Sequence, residues 1–462
     1  MQIGITDKAA RFLPDGGHTE LRVQENSTRK MSMINGSIAG NSASTVSGVC
    51  ARSEMRGVWG YSSMAECSED AAAAAIRAAV DNAHFMAHRA GRDGAGIADV
   101  PRKGLIVPKS CFYTGEERDT AAFLRELDAL ILKICPKICG RSLVVIEESI
   151  EKELAVTDGV PGHTAMRRSY VYVFLTAEGN SGQPLELFRA FGGLGAFSEN
   201  FSDPALLESG IAELYSMLMD KCSGVYAEAG EKTVILDGAL AGMLAHEAVG
   251  HTVEADLVLG GSVASHSLNC RVGSELVNMV DFAHTAFGET APLPVYLDDE
   301  GTPAEDAVLI RDGILVGYMN SRESAQHFGM EPCGNARAFA FSDEPLIRMR
   351  NTAVHPGHDT LADMIASVED GYYLVSSNNG QADTTGEFMF GVTEGYEIKH
   401  GKLGRALLDT TLSGIAFEML KTVDMLGDTM HWVSAGMCGK KQPMPVSMGG
   451  PDLRCRVMIG GE

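Results

Sequence analysis

Short runs of alternating apolar and polar residues, separated by turns, recur along most of this chain. The first clear examples are Glu20–Glu25 and Thr28–Asn35, and the pair Asn35-Gly36 at their end is typical of a tight hairpin turn. Glycine supplies 52 of the 462 residues, well above the usual share of about 7%. Such a proportion favours turns and hairpins over long helical bundles. The chain is therefore expected to be rich in antiparallel strands.

Helical periodicity interrupts these strands at a few places. Apolar residues recur at helical spacing in Thr120–Ile134, and Ser68 is expected to cap a helix over residues 69–89. Further helices are predicted over Pro204–Lys221, Ala239–Leu259 and Gly414–Val423. This order of elements predicts an α+β fold, with an N-terminal strand-and-helix region and a larger β-rich C-terminal region.

Three units are expected along the chain, and the glycine-rich, polar stretch Gly91–Pro101 is typical of a linker between the first two. The predicted units are residues 1–104, an N-terminal α/β region; 105–222, a middle α+β region; and 223–462, a C-terminal β-rich region. Turns in the last unit are predicted at Asp312-Gly313, Asn379-Gly380 and Gly449-Gly450.

Charge and hydropathy limit the possible partners. The chain carries 38 basic and 61 acidic residues, a formal net charge of −23, which repels phosphate backbones and argues against nucleic acid as a partner. No uncharged apolar run reaches the roughly 18 residues of a membrane span, and the N-terminus lacks the apolar segment of a secretory signal. A cytoplasmic protein without a membrane partner is expected.

One segment, His246–Asp256 (HEAVGHTVEAD), concentrates residues with catalytic potential. Two imidazoles on one helix are common zinc ligands, and a glutamate beside the first, here Glu247, can activate water on the metal. His246 and His251 are five residues apart, so on an ideal α-helix they would point about 140° apart, against about 40° for a spacing of four. Both can bind one metal only if the helix widens into a π-turn or ends within the motif. Gly250 would tolerate such a distortion.

Further ligands must come from elsewhere in the chain. The candidates are Glu254, Asp256, His266, Cys270, His284 and Cys438. Cys438 lies between glycines in Gly436–Lys440, where an exposed thiolate suits a metal-binding or nucleophilic role. Glu254 lies about 80° around the helix from His246 and could be a ligand or could orient one. The structural alternative is that His246 faces the core, His251 faces solvent and Glu247 is a surface charge.

Several ordered sequence blocks resemble the TldD/PmbA family of metallopeptidases (historically modulators of DNA gyrase), and specifically its TldD branch. The blocks, which span nearly the whole chain, are Gly57–Gly60 (GVWG), His246–Asp256, Gly317–Gly329 with Gly334–Arg337, Arg348–His358, Gly380–Gly395 and Gly436–Pro445. Ordered blocks are far more specific than one short motif. The resemblance implies a zinc site formed by His246, His251 and Cys438, with Glu247 as the general base.

The resemblance also implies the reaction and the partners. The C-terminal region would be a metallopeptidase region carrying the metal-binding helix, and it would hydrolyse unfolded or extended peptides. Zinc held by two histidines and a thiolate keeps its fourth position for water, from which Glu247 would accept a proton. The assembly would be a homodimer, or a heterodimer with a PmbA-branch paralogue that lacks the metal motif.

Two other functions are kept as alternatives. One is a non-catalytic peptide-binding subunit, which should lack His246, Glu247 and Cys438 together; the other is a zinc amidohydrolase acting on small molecules. A groove bordered by strand edges would favour the peptidase, because extended peptides often bind as an added strand. For the oxyanion, the sequence suggests Tyr318, Arg322 or Tyr396 without choosing among them.

Overall fold

The computed structural model describes residues 4–90, 96–100 and 119–460. Helices make up 25% and strands 44%, which confirms a β-rich α+β fold. Most of the predicted linker Gly91–Pro101 and the predicted boundary at residues 104/105 lie outside the described residues, and the division into three units stays a prediction. In the described part of the chain, no helix is long and apolar enough to cross a bilayer.

The N-terminal half is built on one antiparallel sheet. Its elements are α1 (Ile5–Ala9), β1 (His18–Ile34), β2 (Ser37–Met55), β3 (Val58–Met64), α2 (Glu69–Ala90), α3 (Thr120–Ile134), β4 (Gly140–Val156), β5 (Gly162–Glu178), β6 (Pro184–Leu194), α4 (Phe197–Asn200) and α5 (Glu208–Cys222), with 3₁₀ turns at Ala10–Phe12 and Pro204–Leu207. The strand order is β3-β2-β1-β4-β5-β6. Because β1 pairs with both β2 and β4, the sheet extends across the first two predicted units.

Local sequence explains the first hairpin and its helix. Asn35 and Gly36 both have positive φ angles, 48° and 82°, which confirms the predicted turn between β1 and β2. The Ser68 hydroxyl accepts a hydrogen bond from the Ala71 amide at 3.1 Å, so Ser68 caps α2 as predicted. The helix packs very close to β3, where a Cβ on Gly60 would lie 2.1 Å from the Ala79 carbonyl oxygen.

The C-terminal half contains more and shorter elements. They are β7 (Gly230–Leu236), α6 (Gly238–Leu244), a π-helical turn (Ala245–Gly250), a 3₁₀ turn (His251–Val253), α7 (Ala255–Leu259), a 3₁₀ turn (Val263–His266), β8 (Met279–Phe282), β9 (Thr285–Ala286), β10 (Glu289–Thr290), β11 (Ala307–Arg311), β12 (Ile314–Leu315), α8 (Arg322–Phe328), β13 (Ala336–Arg337), β14 (Leu346–Ile347), β15 (Asn351–Val354), α9 (Leu361–Ala366), β16 (Asp370–Ala382), β17 (Glu387–Lys399), β18 (Lys402–Ala406), β19 (Thr410–Ile415), α10 (Ala416–Leu420), β20 (Met425–Leu426), β21 (His431–Cys438), β22 (Met444–Gly450) and β23 (Leu453–Gly460).

Two sheets enclose the segment that carries the histidine motif. In the first, the order β16-β7-β23-β19-β17 closes on itself because β17 also pairs with β16. The second has the order β12-β11-β8-β15-β22-β21. Helix α6 and the π-turn pack between them, and their buried Leu240, Leu244 and Val249 share one hydrophobic core with Phe390 of β17. The motif is therefore held on both sides by rigid sheet.

Two of the predicted turns are wrong, and steric crowding explains why glycine stands there. Asn379 and Gly380 lie inside β16, paired with β17, and a Cβ on Gly380 would lie 2.4 Å from the Phe390 ring. Gly449 lies inside β22, where a Cβ would lie 2.5 Å from the Trp432 ring. The turn at Asp312-Gly313 is confirmed, with φ angles of 49° and 75°.

Candidate metal centre

The helical segment changes its geometry at the histidine motif. The Asp237 carboxylate caps α6 by accepting a hydrogen bond from the Leu240 amide at 2.9 Å, and the π-turn follows the helix directly. The amide of His251 donates to the carbonyl of His246, five residues earlier. This hydrogen-bond register, which defines a π-helix, brings residues five apart onto the same face. The unusual histidine spacing is thus matched by a local widening of the helix.

Gly250 is required here for a different reason from the one the sequence suggested. Its φ and ψ angles of −53° and −50° are ordinary right-handed helical values, so no glycine-specific conformation is needed. A Cβ at this position would instead lie 2.3 Å from the Met349 sulfur and 3.0 Å from the Ala245 carbonyl oxygen. Glycine is needed because Met349, which is fully buried, packs directly on the π-turn.

Three potential metal-binding side chains converge beside this turn. One donor atom from each of His246, His251 and Cys438 lies within 4.8 Å of the other two, and the Cys438 sulfur is 3.4 Å from His251 Nε2. Tetrahedral coordination at usual Zn–N and Zn–S distances separates donor atoms by roughly 3–4 Å. Cys438 reaches the histidines from the end of β21, an edge strand of the second sheet.

His251 is oriented by charged side chains behind it. Its Nδ1 is 2.7 Å from the Glu254 carboxylate, and Glu254 is fully buried. Lys440 Nζ lies 3.2 Å from the same Glu254 oxygen and 2.7 Å from Asp256. With Nδ1 bound to the carboxylate, the other ring nitrogen, Nε2, is directed at Cys438. Such carboxylate–histidine pairs fix the ring orientation of many metal ligands.

His246 and Cys438, the other two potential donors, also suit a metal ion. His246 is 1% exposed, and neither of its ring nitrogens has a hydrogen-bond partner among the described residues, an arrangement that is costly unless a ligand satisfies them. Burial alone would raise the pKa of the Cys438 thiol, but the adjacent His246 and His251 lower its pKa to about 4. The thiolate is the form that binds metal. Two imidazoles and a thiolate fit zinc.

The loop after Cys438 is held by one buried arginine. Arg348 is fully buried and donates hydrogen bonds to the carbonyl oxygens of Cys438, Lys440 and Gln442, at 2.8, 3.0 and 2.6 Å. Spacing in the sequence gave no sign of this contact or of the role of Lys440, although both residues lie in blocks that carry the family resemblance. The sequence analysis thus suggested Glu254 as a residue that orients a ligand, but missed Arg348 and Lys440.

Glu247 lies beside the three donors and stays partly accessible. Its carboxylate oxygens are 3.7 Å from His251 Nε2 and 4.0 Å from His246 Nε2, and 27% of its side chain is exposed. The alternative in which His251 faces solvent and Glu247 is an unrelated surface charge does not describe this geometry. A carboxylate at this place can exchange protons with a molecule bound next to the histidines.

Several candidates from the sequence analysis lie apart from this cluster. Among the described residues the cluster contains neither His266 nor Cys270 nor His284. The suggested oxyanion donors are engaged elsewhere: the Tyr318 hydroxyl donates to the Ala264 carbonyl, the Arg322 guanidinium pairs with Asp158, and the Tyr396 hydroxyl donates to Asp220. The geometry therefore gives no support to these three residues as oxyanion donors.

A cavity of about 460 Å³ opens between the two halves of the molecule, and its lining includes sequence neighbours of the cluster but none of the three donors. It is bordered by β6, through Phe188, Arg189, Ala190 and Gly192, and by Trp432–Gly436 of β21. Both are end strands of their respective sheets. Met243 and Gly436, three and two residues before His246 and Cys438, also line it. A larger cavity of about 610 Å³ lies around Tyr226 and Asp409, and its lining contains neither the donors nor Met243 or Gly436.

Comparisons with known proteins concern the family and the fold of the chain. A family model described as the PmbA/TldA metallopeptidase C-terminal domain matches residues 229–461, and one described as PmbA/TldA metallopeptidase domain 1 matches residues 19–84. All three donor residues and Glu247 fall within the first of these matches.

Among curated proteins, a metalloprotease of Methanothermobacter thermautotrophicus is 35% identical over 64% of this chain and 64% of its own length. A zinc metalloprotease TldD homolog of Saccharolobus solfataricus is 34% identical over 54% of this chain, and the match spans only 56% of that relative. A metalloprotease of Methanocaldococcus jannaschii is 29% identical over 97% of this chain and 98% of its own length.

Solved structures share the fold over almost the whole chain. A candidate modulator of DNA gyrase from Thermotoga maritima has a TM-score of 0.77 at 15% identity, covering 99% of this chain and 98% of its own. TldE from Thermococcus kodakarensis has a TM-score of 0.70 at 17% identity, covering 99% of both chains. At such identities the likeness concerns the fold alone.

Proposed function

Because the chain belongs to the PmbA/TldD family of metallopeptidases, as its sequence blocks predict, we propose that it is a zinc-dependent peptidase acting on unfolded or extended peptides. His246, His251 and Cys438 would hold the zinc, and Glu247 would be the general base. The observation that carries this proposal is the convergence of three donor atoms within 4.8 Å across some 190 residues of sequence, beside a carboxylate that is not one of the three.

The chemistry follows from this donor set. When bound, zinc would polarise the scissile carbonyl and make water a better nucleophile at neutral pH. Glu247 would accept the proton of the attacking water and deliver it to the leaving amine. Glu254 and Lys440 would keep His251 in one orientation during the reaction, and Arg348 would do the same for the backbone that follows Cys438.

An extended peptide is the substrate that suits the cavity best. Both β6 and β21 end their sheets, and an extended chain can pair with such an edge through its backbone, with little dependence on sequence. The cavity lies between the two halves of the molecule, where a folded protein would have no room. Small-molecule amidohydrolysis is less favoured because a small, closed pocket would be expected for it.

A non-catalytic role is opposed by the donor set itself. A subunit that only holds peptide has no need of two imidazoles, a thiolate and a carboxylate in one cluster. We further propose that the protein works in the cytoplasm as a homodimer, or as a heterodimer with a PmbA-branch paralogue. The fold shared with TldE is compatible with such a pairing of related subunits.

Two substitutions test the proposed roles. Glu247→Gln keeps the size of the side chain but cannot accept a proton, so it should retain zinc and lose about 10²–10⁴-fold of peptidase activity. Cys438→Ser should lose zinc, because a serine hydroxyl is a poor ligand where a thiolate was. Zinc content per chain and cleavage of an unfolded peptide are the two measurements. An active Glu247→Gln enzyme, or a Cys438→Ser protein with full zinc, would remove that residue from its proposed role.

A further inference from the structure

We propose that the cavity beside the metal centre binds a cationic group of the substrate, an ammonium, against the carboxylates of Glu394 and Asp237. The inference rests on the proposed peptidase function, because it assigns a substrate preference to the same site. It concerns the cavity bordered by β6 and β21, which both residues line.

Glu394 occupies a position where an apolar residue is expected. Along β17 the side chains of Phe388, Phe390 and Val392 alternate into the core, and the period of two places Glu394 next on the same face. Glu394 is only 7% exposed. A carboxylate in such a register destabilises the fold unless something compensates its charge. Neutralising this charge takes either a proton or a cationic partner.

The described residues do not supply that partner. No hydrogen bond or ion pair reaches the Glu394 carboxylate from the part of the chain that the structure describes, although the positive charges of Arg189 and Lys221 partly offset the effect of burial on its pKa. Arg189 donates to the Glu213 carboxylate at 2.9 Å, and Lys221 donates to Asp409 at 2.6 Å. Both cations are paired with other carboxylates. The carboxylate of Glu394, which lines the cavity, is therefore available to a ligand.

The cavity wall contains one guanidinium, that of Arg189, which is paired with Glu213; the other groups of the wall suit a cationic ligand. Asp237 adds a second carboxylate, and burial together with the negative charges of Asp452 and Glu394 raises its pKa well above the usual range. Burial likewise raises the pKa of Glu394. A positive charge in the cavity would relieve both carboxylates. Aromatic rings also line the space, those of Tyr170, Tyr172, Phe188 and Trp432, and ring faces attract cations.

The position of the cavity identifies the source of the cation. Met243 and Gly436 line the same space and lie three and two residues before His246 and Cys438. A group bound against Glu394 would therefore belong to a residue near the bond that is cleaved. A lysine side chain and the α-ammonium of a peptide N-terminus both meet this description.

Binding of matched peptides separates these two sources. The full-length Glu247→Gln protein is titrated with two pairs of short fluorescent peptides built from alanine and serine. In the first pair both peptides are N-terminally acetylated, and one contains a lysine where the other contains a norleucine. In the second pair neither peptide contains lysine, and one has a free N-terminus whereas the other is acetylated. The lysine or free-amine peptide should bind more tightly than its uncharged partner, and adding Glu394→Gln should reduce that ratio of dissociation constants about 10–100-fold. Glu418→Gln, which changes an exposed carboxylate on α10, is the charge-matched control and should leave the ratio intact.

Each outcome has a definite meaning. If Glu394→Gln lowers the ratio of dissociation constants for the lysine and norleucine pair, the site binds a lysine side chain. If it lowers the ratio only for the pair with free and acetylated N-termini, the site binds the α-ammonium. An equal ratio in both proteins overturns the inference. Glu394→Gln should also unfold at the same or a higher temperature, whereas a purely structural carboxylate would lower the midpoint. Because binding needs no turnover, a protein that binds lysine peptides selectively but cleaves nothing would refute the proposed peptidase function alone.

Discussion

Replacing Gly250 by alanine should damage the metal centre although the side chain added is a single methyl group. The new Cβ would lie 2.3 Å from the Met349 sulfur and 3.0 Å from the Ala245 carbonyl oxygen, whereas non-bonded heavy atoms settle at about 3.5–4.0 Å. Met349 is fully buried, so it cannot swing into solvent. Either its side chain or the π-turn must move by more than about 1 Å.

The expected size of the effect follows from two opposing contributions. Overpacking of this kind destabilises by about 1–3 kcal/mol, while exchanging glycine for alanine in a helix stabilises by up to about 1 kcal/mol. The net destabilisation should be about 1–2 kcal/mol. His251 follows Gly250 directly, so displacement of the turn should also weaken zinc binding, by about 10–100-fold as for other changes that misalign a ligand.

Urea unfolding of the metal-free protein and zinc competition with a chromophoric chelator measure the two effects. Gly439→Ala is the matched control: it also adjoins a proposed ligand, but no heavy atom lies within 4 Å of its added Cβ. The double variant Gly250→Ala, Met349→Ala should recover part of the zinc affinity, because the clashing sulfur is gone. A Gly250→Ala protein that matched Gly439→Ala in stability and in zinc affinity would refute the steric argument.

Two further predictions concern residues outside the motif. Lys440→Met should lower zinc affinity about 10–100-fold, because Glu254 would lose its cation and hold His251 less firmly. Lys440→Arg should retain more zinc affinity than Lys440→Met. Equal zinc affinity in the wild type and both variants would exclude this role for Lys440. The second concerns His18, which is 1% exposed. Burial lowers the pKa of its imidazole, but the adjacent carboxylates of Asp158 and Glu20 outweigh burial and raise that pKa to about 9. Protonated His18 should therefore stabilise the protein fully below about pH 6.5, and that contribution should be lost as the pH rises towards 9. Unfolding midpoints measured from pH 6 to 9.5 should fall more steeply for the wild type than for His18→Gln, and parallel curves would contradict the assignment.

Local periodicity was sufficient to predict the elements that depend on their own residues. Helix α3 spans Thr120–Ile134, as predicted, because Phe123, Leu127 and Ile131 form one buried stripe. The pair Asn35-Gly36 forms its turn because both residues accept positive φ angles. The two strands predicted before this turn are instead one strand, β1, since neighbours on both sides continue its pairing through Asn26 and Ser27.

Non-local contacts decided what the sequence could not predict. The glycines at 380 and 449 signal turns by composition, yet each makes room for an aromatic ring from a neighbouring strand. The histidine spacing could be interpreted as a π-turn because residues five apart do not share a face on an ideal α-helix, which follows from helix geometry alone. Arg348 and Lys440 could not be placed behind the site, because their partners lie about 90 and 185 residues away in the chain. Sequence patterns thus suggest candidate residues within one motif, such as His251 and Glu254, but not the contacts that distant segments make with them.

The π-turn has a consequence for how this motif relates to the shorter zinc-binding one. A π-turn is an α-helix that has accommodated one inserted residue, with the flanking turns left in register. Deleting either Ala248 or Val249 would convert HEAVGH into the His-Glu-x-x-His spacing, for which an ordinary α-helix already aligns both imidazoles. The two spacings thus differ by a single codon, and an alignment that forbids a gap inside the helix would not superimpose the second histidines, although both can occupy the same place relative to the metal.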